Sequence, residues 1–245
     1  MASIPSHQLK ETKYNPLTGG KNILEDFKAQ VNRGNFQKKE IVLYGSIFQD
    51  ALVPLKQRLQ GLCDPGEVKF REHEITFYLS SDFIDTKTPF VFRFRRKFPN
   101  YEGNLMHLKY IGTPELNDKC PCIVRNRIDT VTQSSDQMEF IRGLGLRTDY
   151  EFIVEGYAYT KGEIVITVYK LSKIEKMGYY DDKNVKPFSN SYLVEISLQI
   201  PYLQDYSAPA KAVRDFADQL YPIVEMRKVN YWSTPQPKEK KRDKN

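Results

Sequence analysis

Residues 144–171, LGLRTDYEFIVEGYAYTKGEIVITVYKL, contain two long runs rich in β-branched and aromatic residues that meet at Thr160-Lys161-Gly162-Glu163. Such runs around a turn predict an antiparallel hairpin, with Gly162 supplying the positive φ that the turn needs. Strand patterns of the same kind recur on both sides, at 41–47, 67–79, 89–98, 105–112, 122–132, 147–160, 163–175 and 190–201. About eight strands joined mainly by short turns predict a mainly β fold with a few helices. A closed antiparallel barrel is favoured over an open sheet, because closure removes exposed edges.

The helices are few. QDALVPLKQRLQGLC, residues 49–63, aligns Leu52, Leu55, Leu59 and Leu62 on one stripe, and Pro54 holds the helix start near itself. SSDQMEFIRGL, residues 134–144, reads as a short helix capped by Ser134 or Ser135. A last helix is expected from Ala208 to Tyr221, with Ser207 as N-cap and Pro209 in its first turn. Val213, Phe216, Ala217, Leu220 and Tyr221 should face inward, and Pro222 stops it. The chain thus divides into an amino-terminal extension (1–40), a barrel domain with flanking helices (41–230) and a basic tail (231–245) that is expected to be disordered. Within the extension, Asn22 and Glu25 form a capping-box pattern, and Ile23, Leu24, Phe27 and Val31 line one side of a short helix. A helix of about ten residues is marginal alone, so it must dock on the domain or on a partner.

Apolar residues at 40% and aromatics at 13% predict a folded globular protein. No apolar run approaches the roughly 20 residues of a membrane helix, and the first ten residues lack the apolar core of a signal peptide. Three cysteines without framework spacing predict free thiols at Cys63, Cys120 and Cys122 and a reducing compartment, cytosol or nucleus. The net charge of +6 sits at the ends. Residues 1–40 and 238–245 each carry +3, while the middle holds 25 basic and 25 acidic residues. A nucleic-acid platform needs a net cationic surface, which the folded part lacks, although a local patch remains open.

Two stretches carry candidate chemistry. FREHEITFYL, residues 70–79, places Glu72 and Glu74 on one strand face and His73 on the other. TPFVFRFRRKF, residues 88–98, places Phe90, Phe92 and Phe94 on one face, with Arg93 and Arg95 on the other. General burial preferences put the Phe row in the core and the Arg row in solvent; the other reading makes the Phe row a contact surface. Tyr157 and Tyr159, on the face of Ile153, read equally as core or contact surface. The aromatic residues Phe90, Phe92, Phe94, Tyr157 and Tyr159 are therefore the candidate partner-interface residues. Other chemistries find little support. Cys120 and Cys122 form only Cys-x-Cys, short of a zinc pattern. His7, His73 and His107 accompany no nucleophile motif, and Gly143-Leu144-Gly145 leads into a strand, so it is a turn and no P-loop. No catalytic, cofactor or metal residue is assigned, and no cofactor is expected.

RLQGLCD (58–64), HEITFYL (73–79), TPFVFRFRR (88–96), LKYIGTPELNDK (108–119) and VRNRIDTVTQS (124–134) form an ordered set with EFIVEGYAYTKGEIVITVYKL (151–171), SYLVEISLQIP (191–201) and FADQLYPIVEM (216–226). Over residues 41–230 this set resembles the family of Mediator complex subunit 18, a component of the head module of the coactivator of RNA polymerase II. The resemblance implies a barrel similar to the triphosphate-tunnel phosphohydrolases and a nuclear location; likeness to a hydrolase fold carries no activity, so catalysis is argued from the residues. The resemblance also implies pairing with Mediator subunit 20, capture of a carboxy-terminal helix of Mediator subunit 8 in an apolar groove, and indirect contact with the polymerase machinery. The tunnel enzymes' entry motif is Glu-x-Glu-x-Lys, and here Thr76 stands where the lysine belongs. Glu195 is a solitary acid on the opposing strand, and Glu151 and Glu155 are poorly spaced for one ion. A divergent phosphohydrolase and a nucleic-acid-binding barrel are the alternatives to an interaction subunit.

Overall fold

The computed structural model describes residues 37–79, 91–99, 105–134, 136–176 and 180–229. The expected amino-terminal helix, the basic tail and Phe90 lie outside the described residues. Nine strands are found among those described: β1 (Gln37–Phe48), β2 (Val68–Leu79), β3 (Val91–Lys97), β4 (Leu105–Pro114), β5 (Ile123–Gln133), β6 (Leu146–Lys161), β7 (Ile164–Ile174), β8 (Val185–Pro187) and β9 (Ser191–Pro201). Eight of them run antiparallel in the order β6-β2-β3-β4-β5-β1-β9-β7, and pairing of β6 with β7 closes the ring. The expected eight-stranded barrel is the fold. The additional β8 pairs with β7 at Ser172–Ile174, past the point where β9 leaves that edge. Three residues are too few to show a hydrophobic period in sequence.

The β6–β7 hairpin sets the closure. Its turn holds Gly162 at φ +57°, in the left-handed region. Six residues earlier, Gly156 packs so closely on β7 that a Cβ there would lie 2.1 Å from the Val168 carbonyl oxygen. Only glycine permits that approach.

The main apolar core lies outside the barrel wall. Outward residues Ile41 and Leu43 of β1, Ile166 and Val168 of β7, and Val194 and Ile196 of β9 are fully buried. Two helices cover them, α1 (Leu52–Leu62) through Leu55 and Leu59, and α3 (Ser207–Asp218) through Val213, Phe216 and Ala217. Each fully buried leucine contributes about 1.5–3 kcal/mol, which is why the leucine stripe of α1 forms a helix on this surface. A second cluster, Ile75, Phe77, Phe94 and Met106, packs under α2 (Gln137–Gly143) through Ile141.

Three local expectations change. Tyr206, and not Ser207, precedes the first helical residue of α3; its carbonyl accepts from the Ala210 amide, and the Ser207 hydroxyl donates to Asp205. Asp136 is the residue before α2, where Ser134 Oγ accepts from the Asp136 amide in a turn ahead of the helix. Tyr221 is 67% exposed, because three-residue turns after Asp218, from Leu220 N–H to the Ala217 carbonyl onward, break the helical period that would have turned it inward.

Candidate functional site

Cross-strand partners share a face, so the register fixes what fills the barrel. Glu40 of β1 pairs with Arg125 of β5, Lys109 of β4 with Asp129 of β5 and Arg93 of β3, and Glu74 of β2 with Arg95 of β3. These side chains point into the lumen, while their neighbours point to the outer cores. The Arg row of β3 thus faces the lumen and the Phe row the outer core: the Phe row is core as burial preference expects, but the arginines are enclosed and not solvated. The physical reason is that acids from β1, β2 and β5 compensate the buried cations.

Two charge clusters result. In the first, Glu40 receives Arg125 Nε at 2.7 Å and Arg127 Nη1 at 2.6 Å. Arg125 also donates to the Tyr44 hydroxyl at 2.7 Å, and Arg127 pairs with Asp129 at 2.7 Å. The same Asp129 lies 3.2 Å from His107 Nε2. In the second, Glu74 is held by Arg95 and by Arg93 at 3.5 Å, and Glu72 lies 3.7 Å from Arg95. Arg93, Arg95, Lys109, Arg125 and Arg127 thus stand among the acids Glu40, Glu72, Glu74 and Asp129.

Burial alone would raise the Glu40 carboxyl, but Arg125 and Arg127 outweigh it and hold the group far below the ordinary carboxylate range. Asp129 is likewise buried, yet Arg127 and His107 hold it far below its usual value. Glu72 goes the other way: burial, aided by the adjacent Glu74, raises it despite Arg95. Lys109 is 4% exposed, and burial, together with Arg127 and Arg95, depresses it to about 7.

Among the described residues, the space between these groups is small. The volume bounded by Phe70, Arg95, Lys109, Arg127, Tyr169 and Glu195 is about 20 Å³, room for about one water. A triphosphate and its cation need carboxylates free to ligate and a passage to lie in. Here Glu72 and Glu74 share a face, as expected; that face is the lumen, and both acids ion-pair with the chain's own arginines. Thr76 sits beside Arg93, and Glu195 accepts from the Tyr169 hydroxyl at 3.4 Å. Glu151 and Glu155 are on the outer wall. Glu151 binds His73 Nε2 at 3.0 Å, and Glu155 pairs with Arg71 at 3.2 Å. His73 is indeed on the face opposite Glu72 and Glu74. Glu40, Arg125, Arg127 and Asp129 were not singled out in the sequence; their two-residue spacing in KEIVLY and VRNRID carried the signal.

The aromatic candidates divide by exposure. Phe94 and Tyr159 are buried within this chain, at 3% and 2% exposure, and the Tyr159 hydroxyl donates to Glu67 at 2.5 Å. Phe92 and Tyr157 are half-buried on the outer wall. Lys56 Nζ stands 3.6 Å over the Tyr157 ring. Phe92 and Phe94 line an open apolar groove of about 720 Å³ together with Leu108, Tyr110, Phe140 and Leu144. Cys63, Cys120 and Cys122 are free thiols.

Residues 39–233 match the family described as Med18 protein. A Caenorhabditis elegans protein named Mediator of RNA polymerase II transcription subunit 18 is 46% identical over 206 residues, covering 84% of this chain and 89% of that protein. The protein of the same name from Danio rerio is 36% identical over 202 residues, covering 82% and 93%. A chain of the Schizosaccharomyces pombe Mediator head module superposes with a TM-score of 0.66 at 14% identity, over 78% of this chain and 98% of that one. The family match over residues 39–233, together with these relatives, places the chain in the Med18 protein family, the family of subunit 18 of the Mediator of RNA polymerase II transcription.

Proposed function

We propose that this chain is a noncatalytic interaction subunit of the Mediator head module. It acts in the nucleus by pairing its barrel with Mediator subunit 20 and taking a carboxy-terminal helix of Mediator subunit 8, and it reaches the polymerase machinery through that assembly. One observation carries the noncatalytic reading: among the described residues, the luminal charges are engaged in the chain's own ion pairs, and the space bounded by Arg95, Lys109, Arg127, Tyr169 and Glu195 is about 20 Å³. Luminal arginines that are spent on carboxylates are also unavailable to nucleic-acid phosphates. Family membership supports the Mediator assignment. The half-exposed Tyr157 is the member of the aromatic set that we place in the partner surface, where an apolar ring with a polar tip suits an interface.

Co-expression with subunits 20 and 8 followed by size-exclusion chromatography tests the assembly, and a single co-eluting peak is expected. Separate elution of all components would refute it. Phosphate release from nucleoside or RNA triphosphates with Mg²⁺ or Mn²⁺ tests the absence of catalysis. Turnover that disappears in Glu72→Gln/Glu74→Gln would overturn that part alone.

A further inference from the structure

We propose that residues 22–31 of this chain dock as an amphipathic helix into the apolar groove between α2 and the outer wall of β3–β5. The groove is built and open. Phe92, Leu108 and Tyr110 form its floor, and α2 overhangs it with Phe140 at 65% and Leu144 at 54% exposure. Large apolar side chains left in water at this density mark a surface that another element covers.

The start of β1 says which element. Gln37 pairs with Ile128 of β5, Ile128 with Tyr110 of β4, and Tyr110 with Phe92 of β3. The first residue of β1 is therefore in the same cross-strand row as the groove floor, two strands or roughly 10 Å from Tyr110. Direction agrees with position. β1 is antiparallel to β5, so at Gln37 its amino-terminal end points along β5 from Ile128 towards Thr132, Gln133 and Ser134, which line the groove. Thr132 Oγ1 is buried there without a hydrogen-bond partner among the described residues.

Reach and chemistry also fit. Five residues can span at most about 17 Å, and a ten-residue helix is about 15 Å long. Segment 22–31, NILEDFKAQV, presents Ile23, Leu24, Phe27 and Val31 on one side and Glu25, Asp26, Lys28 and Gln30 elsewhere. That apolar stripe is what an exposed hydrophobic groove accepts, and such a helix is too short to persist undocked.

Hydrogen–deuterium exchange on the full chain tests this from both sides. Leu24→Asp/Phe27→Asp is expected to speed exchange of amides 137–144 by about tenfold or more, with β1 and β9 unchanged. Phe140→Asp, on the groove side, is expected to speed exchange across 22–31. Unchanged exchange in both variants overturns the proposal. So does protection of 137–144 that is lost on dilution, which would assign the groove to a second copy. Protection that appears only when a subunit 8 helix is added, and is indifferent to the Leu24 and Phe27 substitutions, overturns it as well.

Discussion

Arg127 Nη1 donates to Glu40 Oε1 at 2.6 Å inside the barrel, across the β1–β5 ladder, with both side chains almost fully buried. Glu40 thereby bridges two guanidinium groups, since Arg125 binds its other oxygen. Removing one partner of a buried pair leaves an uncompensated charge, so Glu40→Leu should cost about 3–5 kcal/mol in urea unfolding. A loss below about 1 kcal/mol would mean that water screens the lumen.

The same carboxylates set the acid limit. Glu40 and Asp129 have folded-state values below their unfolded ones, so their contribution is fully present above the unfolded values and is lost as pH falls through the folded ones. Stability of the native chain should therefore fall as pH drops below about 4.5, the ordinary Glu value. In Glu40→Gln that slope should shrink. An identical acid slope in chain and variant would remove Glu40 from the account.

Lys109 has the opposite consequence. It is depressed to about 7 from 10.5 by burial and by Arg127 and Arg95, with Glu40 and Asp129 pulling the other way. Between those values the unfolded state binds the extra proton, so this group makes stability rise with pH, and its penalty is complete below about 7. Lys109→Met should stabilise the barrel by about 1–4 kcal/mol near pH 6, with the gain fading towards pH 10. Urea midpoints that move equally at both pH values would refute the assignment.

The arginines of β3 show where sequence reading stops. Strand existence was legible, because the alternation in residues 144–171 and the glycine at 162 are local. Burial preference then misassigned Arg93 and Arg95, since it treats each charge alone. Their burial depends on Glu72 and Glu74 across one ladder, and Glu40 depends on Arg125 across another. That β1 lies between β5 and β9 is a property of the closed ring and appears in no single strand. The groove under α2 was hidden for a related reason. Its walls come from β3, β4, β5 and a seven-residue helix, and although that helix was legible, its packing over three strands is set by the closed sheet and not by its own residues.

Gly156 gives a local test of closure. With Val168 O 2.1 Å and Tyr169 Cα 2.6 Å from where its Cβ would stand, Gly156→Ala must push backbone apart at the β6–β7 seam. The neighbours are main-chain atoms that cannot rotate away. Overpacking of this kind costs about 1–3 kcal/mol or more, and the loss should appear as a lower melting temperature and faster exchange along β6 and β7. Gly61, with open space around it, serves as the control position, where alanine should not destabilise.

Cys122 reports on how α3 is seated. Its Sγ donates to the Ala210 carbonyl at 3.3 Å, joining the start of β5 to the first turns of α3. Burial first, and the neighbouring Cys120 second, push the thiol up to about 12. Cys63 is pushed up to about 11 by burial and Asp64, but it is only half-buried. Alkylation requires the thiolate, so at pH 8 Cys63 should label before Cys122. Because Cys122 becomes accessible only when α3 lifts from the barrel, its labelling rate should rise with urea in step with α3 exposure. Val213→Ala, which removes a fully buried contact of α3, should accelerate it without changing the Cys63 rate. Equal acceleration at both cysteines would instead place the opening at the level of the whole barrel.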